Sequence, residues 1–310
     1  MTTTDVSDRS RPRRSRLMLV LVLVAACMAA LVPSLVGIAV MRDPGEPATT
    51  PSVASSARPA ASPTTGPESS ATTIADPAAA LQRLAADLAN GPADPAKARF
   101  EYVETRVWES FGSLFSAAPG SRGPGRRIHL WTTGRGSYRV VTIDEARCPP
   151  ERDESGGDLG PFDGPLSSDP DAVRRQILHE PLPADAVPDV FGQVADFYSA
   201  RLVPLPTRQG VLRMLARLPG IGVHPAVTDS IGRTGVAVTW TYRPPMMSFV
   251  VEKTLVFDPS SGQLLASHSR GQRRLEATTP PDLGDAYEIY LLFLGSTYAP
   301  DTDTPKVACA

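Results

Sequence analysis

Lysine is nearly missing from this sequence. Only Lys97, Lys253 and Lys306 occur, so arginine supplies almost all positive charge, a skew that reflects coding bias rather than function. Charge of either sign is not in excess: 31 basic against 33 acidic residues leave a formal net charge of −2, without the basic surplus of a nucleic-acid binder. Cysteine is equally scarce, and Cys27, Cys148 and Cys309 are too few and too scattered for a zinc site. The histidines, His129, His179, His224 and His268, never fall one helical turn apart around a glutamate, the spacing that puts two imidazoles on one zinc. The Gly-x-Ser-x-Gly elbow of serine hydrolases does not occur. Gly134-Arg135-Gly136 lacks the further glycines and the following helix of a phosphate-cradling loop. Nothing local points to an enzyme, a cofactor or a metal, and the chain reads as a non-enzyme.

Where acidic residues do gather, at Glu151, Asp153, Glu154, Asp158 and Asp163, the twelve-position calcium-loop pattern is absent and a solvated loop is expected. Asp301 and Asp303 read as part of a polar tail. His129, in a strand, and His224, before Pro225, read as structural or surface histidines.

Charge is missing altogether from residues 17–41, LMLVLVLVAACMAALVPSLVGIAVM. At about 1.5 Å per residue this run exceeds the roughly 30 Å of bilayer hydrocarbon. Arg9, Arg11, Arg13, Arg14 and Arg16 precede it, whereas Arg42 is followed by Asp43 and Glu46. The positive-inside bias puts residues 1–16 in the cytoplasm and everything after the span outside. An uncleaved anchor accounts for the whole run. A lipoprotein signal ending at Cys27 is the second reading, and a cleaved signal, with an apolar core of about 7–15 residues, the third.

Residues 42–75 are rich in Pro, Ser, Thr and Ala and poor in large apolar side chains, so they bury too little to offset ordering entropy and read as a disordered linker. Residues 76–310 then read as one extracytoplasmic α+β domain. Asp76-Pro77 opens a helix with Leu81, Leu84 and Leu88 on one stripe. ARFEYVETRVWES reads as a strand, and RRIHLWTT and SYRVVTID as a hairpin around Gly134 and Gly136. A polar loop over residues 145–168 is expected next, then a short helix after Asp169-Pro170 and two longer ones. One carries Val190, Val194, Phe197 and Tyr198, the other Val211, Met214, Leu215 and Leu218. In GVAVTWTYR, Val236, Val238, Trp240 and Tyr242 alternate with Ala237, Thr239, Thr241 and Arg243, a strand with one buried face. SFVVEKTLVFD and GQLLASHSR follow across a strong turn, Asp258 to Gly262, and DAYEIYLLFLGSTYAP reads as a last strand in preference to a helix. Strands, then helices, then strands predict a curved antiparallel sheet with helices on one face.

Outside the membrane, Cys148 and Cys309 are either a disulfide or two free thiols. Bonded, they close a loop of about 160 residues, for which chain entropy gives roughly 5 kcal/mol. Trp131, Trp240, Tyr242, Met246 and Met247 are candidates for lining an apolar pocket, with packing of the core as the other reading.

The stretches RMLARLPGIGVHPAVTDSIGRTGVAVTW, TLVFDPSSGQLLA and DPDAVRRQIL resemble an uncharacterised actinobacterial family of single-pass membrane proteins known by a locus tag. The likeness covers roughly residues 77–275. Its members often sit near genes for extracytoplasmic-function sigma factors, which implies envelope sensing or regulation. More distantly the arrangement is similar to the half-barrel of lipoprotein carriers and sigma-factor regulators, where a curved sheet encloses an apolar ligand. Family members commonly have a longer cytoplasmic segment than residues 1–16, which argues against a direct hold on a sigma factor. The resulting expectation is a membrane-anchored binding or sensing protein without nucleic-acid partners, contacting an envelope protein or lipid, or else a carrier of an apolar envelope molecule.

Overall fold

The computed structural model describes residues 74–111, 124–133, 136–147, 150–157, 165–178, 189–243, 249–273 and 286–303. All lie within one unit of the chain, Ser70–Ala310. The apolar run 17–41, the linker, all three cysteines, Met246 and Met247 lie outside the described residues. Among those described, no helix is long and apolar enough to cross a membrane.

Four helices start where aspartate or proline deals with the unpaired amides of a first turn. Helix α1, Pro77–Asp87, has Asp76 Oδ1 accepting from Ala79 N at 2.9 Å, and it buries Leu81 and Ala85. Helix α2, Pro170–Leu178, has Asp169 accepting from Ala172 N at 2.9 Å. Helix α3, Val190–Ala200, has Asp189 accepting from Gly192 N at 2.9 Å. Helix α4, Leu205–Leu215, begins instead with Pro206 in its first turn.

The strands are β1 Phe100–Phe111, β2 Arg126–Thr132, β3 Tyr138–Asp144, β4 Pro150–Gly156, β5 Ile221–Thr228, β6 Thr234–Tyr242, β7 Phe249–Phe257, β8 Leu264–Arg273 and β9 Ala286–Ala299. They make one curved antiparallel sheet in the order β4-β3-β2-β1-β9-β8-β7-β6-β5. Two meanders, β1 to β4 and β5 to β9, are therefore joined by the pairing of β1 with β9. The polar loop expected over residues 145–168 is in part a strand: β4 pairs with β3 at the sheet edge. Its charged sequence, PERDESG, carries no apolar alternation because backbone pairing, not burial, holds an edge strand, and charge there also discourages further pairing. The strand DAYEIYLLFLGSTYAP is not at an edge but at the centre of the sheet.

Register assigns each side chain to a face. Val238, Leu255, Ser267, Leu291 and Val107 are opposite one another in turn across β6, β7, β8, β9 and β1. This inner face receives the helices: Phe191, Val194, Phe197 and Tyr198 of α3 and Val211 and Leu215 of α4 share one core with Val223, Val238, Leu255, Phe257 and Phe293. Burial of each large apolar side chain contributes about 1.5–3 kcal/mol. Ion pairs help to fix the helices to the rest. Arg201 reaches Glu101 of β1 at 2.8 Å, and Arg208, 3% exposed, bonds Asp94 and, at 2.5 Å, the Ser261 carbonyl in the turn between β7 and β8. The outer face runs through Ala237, Val256, Ala266, Leu292, Arg106 and Arg127. Strand β6 was expected to bury one face, yet Ala237 on the outer side is as buried as Val238 on the inner, since Val256, Leu265 and Ala266 pack around it.

Candidate ligand-binding face

The helices cover the inner face unevenly. Val238, Leu255, Phe257, Leu264 and Phe293 are buried beneath them, whereas Val107, Trp240, Tyr242, Ser267, Ser269, Ile289 and Leu291 stay half-buried, around a Val251 that is itself buried. At this less covered end the strands present aromatic and hydroxyl groups beside the aliphatic ones. Trp240 stacks on Phe191 (centroids 5.6 Å apart, 22°) and on Tyr242 (4.5 Å, 14°), a ladder that runs from the buried Phe191 outward to Tyr242. Tyr287 lies over Gly271, whose missing Cβ leaves room for its ring, and its hydroxyl is 3.4 Å from Ser269 Oγ.

Charge enters from α3. Asp189 caps the helix with one carboxylate oxygen and pairs with Lys253 of β7 through the other. Gly192 is required between them: a Cβ there would collide with the Asp189 carboxylate and lie 3.1 Å from Lys253 Nζ. Asp196 follows two turns later. Its side chain is exposed, on the side of α3 opposite the buried Phe191, Val194 and Tyr198. Desolvation, helped by the Asp189 charge and opposed by Lys253, pushes its carboxyl up to about 6. The Tyr242 hydroxyl is also raised, by desolvation first and then by Asp189 and Tyr287.

The candidate pocket residues separate. Trp240 and Tyr242 meet at the open end of the inner face. Trp131 does not join them: it is opposite Tyr102 on the outer face, four strands lie between its strand and β6, and it packs with Val141 and Ile143. Met246, Met247, Cys148 and Cys309 are outside the described residues. Sequence reasoning missed Asp189, Asp196, Lys253, Ser269 and Tyr287. Asp189 had a signal, an aspartate just before an apolar helix, and Asp196 had another, a charge interrupting AVPDVFGQVADFYSA.

The outer face holds a second polar cluster. His129 is fully buried, with Nδ1 2.7 Å from the Tyr102 hydroxyl, which is itself 3.1 Å from Glu104 Oε2. Glu104, paired with Arg127 at 3.1 Å, only accepts, so the Tyr102 proton goes to Glu104 and His129 Nδ1–H donates to the tyrosine oxygen. That leaves Nε2 a bare buried acceptor, and it has no partner among the described residues. Desolvation lowers the His129 pKa, with Glu104 opposing and Arg127 assisting. Glu145, 7% exposed, closes the network by taking Arg127 at 3.2 Å, Arg106 at 2.5 Å and Gly125 N at 2.9 Å. Of the acidic run near β4, Asp153 pairs with Arg139 at 2.8 Å. Among the described residues no group of His, Cys, Asp and Glu side chains could hold a metal ion.

No protein-family model matches this chain, and no curated protein matches it.

Proposed function

We propose that this protein is a membrane-anchored extracytoplasmic binding or sensing module, tethered by residues 17–41 and the linker 42–75, whose ligand is an amphipathic molecule lying on the open end of the inner face. The carrying observation is the uneven cover of that face: one end is filled by helix side chains, while the other leaves Val107, Ile289 and Leu291 half-buried beside Trp240, Tyr242 and Ser269. Half-covered apolar side chains beside a few polar groups are the usual lining of a small-molecule site. Envelope-stress regulation is the physiological setting that the family resemblance suggests.

Carriage of a lipid or another apolar envelope molecule is the second reading, and the same three aliphatic side chains favour it. The two readings share a first experiment: native mass spectrometry of the full chain, extracted from membranes in mild detergent without refolding. A non-covalent adduct that leaves on denaturation is expected. Ser267→Trp, which fills the open end between Leu255 and Leu291, should abolish it. A bare mass, or an adduct indifferent to Ser267→Trp, would overturn this site.

A further inference from the structure

Strand register sets out the hydrogen-bond donors at the less covered end of the inner face. Trp240, Lys253, Ser269 and Ile289 are directly opposite one another across β6, β7, β8 and β9, so their side chains form one row on the same face. Val238, Leu255, Ser267 and Leu291 form the next row, which continues into Val107 of β1. The Lys253 side chain is only 12% exposed, and its ammonium turns to the first turn of α3 to pair with Asp189. An ammonium has three N–H donors, yet Asp189 is the sole partner of Lys253 among the described residues. Ser269 beside it has only a long contact, 3.4 Å to the Tyr287 hydroxyl. Among the described residues Lys253 and Ser269 do not bond each other. Charge on these rows cancels: Asp189 balances Lys253, and Glu109 and Arg126 pair at 2.7 Å at the β1 end.

Donors held largely out of water and short of acceptors are costly unless something brings an acceptor to them. We infer that the open end recognises the carbonyl of an acyl ester or amide, which accepts from the Lys253 ammonium and the Ser269 hydroxyl. The acyl chain then runs along Ile289, Leu291 and Val107, and the alcohol or amine portion lies toward Trp240. This rests on the ligand reading above and names the group that the ligand presents. Row order carries the orientation: Ile289 is next to Ser269 on the side away from Lys253, and Trp240 is next to Lys253 on the other. Asp189 sets the selectivity. Its carboxylate already balances Lys253, so a free fatty-acid carboxylate adds an uncompensated negative charge to a largely desolvated site. A neutral carbonyl takes the spare donors without that cost.

The test is calorimetry on the full chain in dodecyl maltoside, with three water-soluble probes of one tail length: glyceryl monohexanoate, glyceryl monohexyl ether and hexanoate. The ester and the ether differ only in the carbonyl. The ester is expected to bind about tenfold more tightly than the ether, the size of a hydrogen bond to a charged donor, and hexanoate no more tightly than the ether. Lys253→Met combined with Asp189→Asn, which keeps a capping side chain on α3, should bring the ester down to the affinity of the ether. Asp189→Asn alone should reverse the order, hexanoate becoming the tightest of the three because Lys253 has lost its counter-ion. Should the double variant fail to fold, Ser269→Ala removes one donor and no charge, and should cut the preference for the ester about threefold. Equal affinity for ester and ether, a preference indifferent to these variants, or hexanoate bound most tightly by the wild type would overturn the carbonyl inference while leaving the ligand site standing. Binding of none would overturn both.

Discussion

The two faces of this sheet handle polarity in opposite ways. The inner face is apolar where helices cover it and mixed further along, where Lys253, Tyr242 and Ser269 stand half-buried beside Ile289 and Leu291. The outer face draws its charges on strands β1 and β2 into one network: Tyr102, Glu104, Arg127, Glu145 and Arg106 are linked in series from His129, with the His129 Nε2 and Arg106 Nε atoms left over among the described residues. Half-buried charges are tolerated where most of their hydrogen-bonding capacity is met by such partners.

Removing the hub of the outer network should have the largest effect. Glu145→Ala strands Arg106, Arg127 and the Gly125 amide, and is expected to destabilise by about 3–5 kcal/mol in denaturant unfolding. An effect under about 1 kcal/mol would mean that water replaces the carboxylate freely. Strand β7 then compares the faces at neighbouring positions. Leu255→Ala, in the helix-covered core, should cost about 2–5 kcal/mol. Val256→Ala, in the smaller outer cluster, should cost about 1–2 kcal/mol by the two carbon atoms removed. Equal costs would break the distinction between a principal and a subsidiary core.

Acidity sharpens the comparison through opposite signs. Burial lowers the His129 pKa below its ordinary 6.5, so the unfolded chain takes that proton first. Its contribution is intact above pH 6.5 and lost as pH falls, with a slope of at most about 1.4 kcal/mol per pH unit for one proton. His129→Gln should flatten that part of the stability profile between pH 6.5 and 5. Asp196 runs the other way: its carboxyl is raised to about 6 from 3.8, so the folded chain takes the proton first and gains stability as pH falls through that window. Asp196→Asn should therefore melt slightly higher than the wild type at pH 7.5 in thermal unfolding, solvent screening of this exposed side chain keeping the gain small, and the advantage should vanish near pH 4. The smallest effect belongs to a pair outside both networks. Arg217 and Asp171, 2.7 Å apart but 56% and 63% exposed, should contribute no more than about 0.5 kcal/mol, read from a double-mutant cycle in denaturant.

The helices were legible because their signals are local. Asp76-Pro77, Asp169-Pro170 and Asp189 mark three starts with the chemistry that a first turn needs, and the leucines of α1 fall at helical spacing. Strand β6 was legible for its period of two. Strand β4 was not, since its charged edge sequence carries no burial pattern. The place of β9 was hidden for the opposite reason: a strand apolar on both faces announces burial but names no neighbour. Trp240 and Tyr242 could be assigned to one face from their spacing, whereas grouping Trp131 with them required the register of every strand between.

By itself, the sequence determined what depends on neighbours along the chain: the caps, the period of each element and the α+β order. Tertiary structure alone decided that β1 pairs with β9, which joins the two meanders and puts Trp131 and Trp240 on opposite faces. It also decided that Trp240 and Tyr242 of β6 stack outward from Phe191 of α3. Both outcomes arise from packing between segments as much as 200 residues apart, and packing energy depends on which surfaces meet rather than on the order in which the chain presents them.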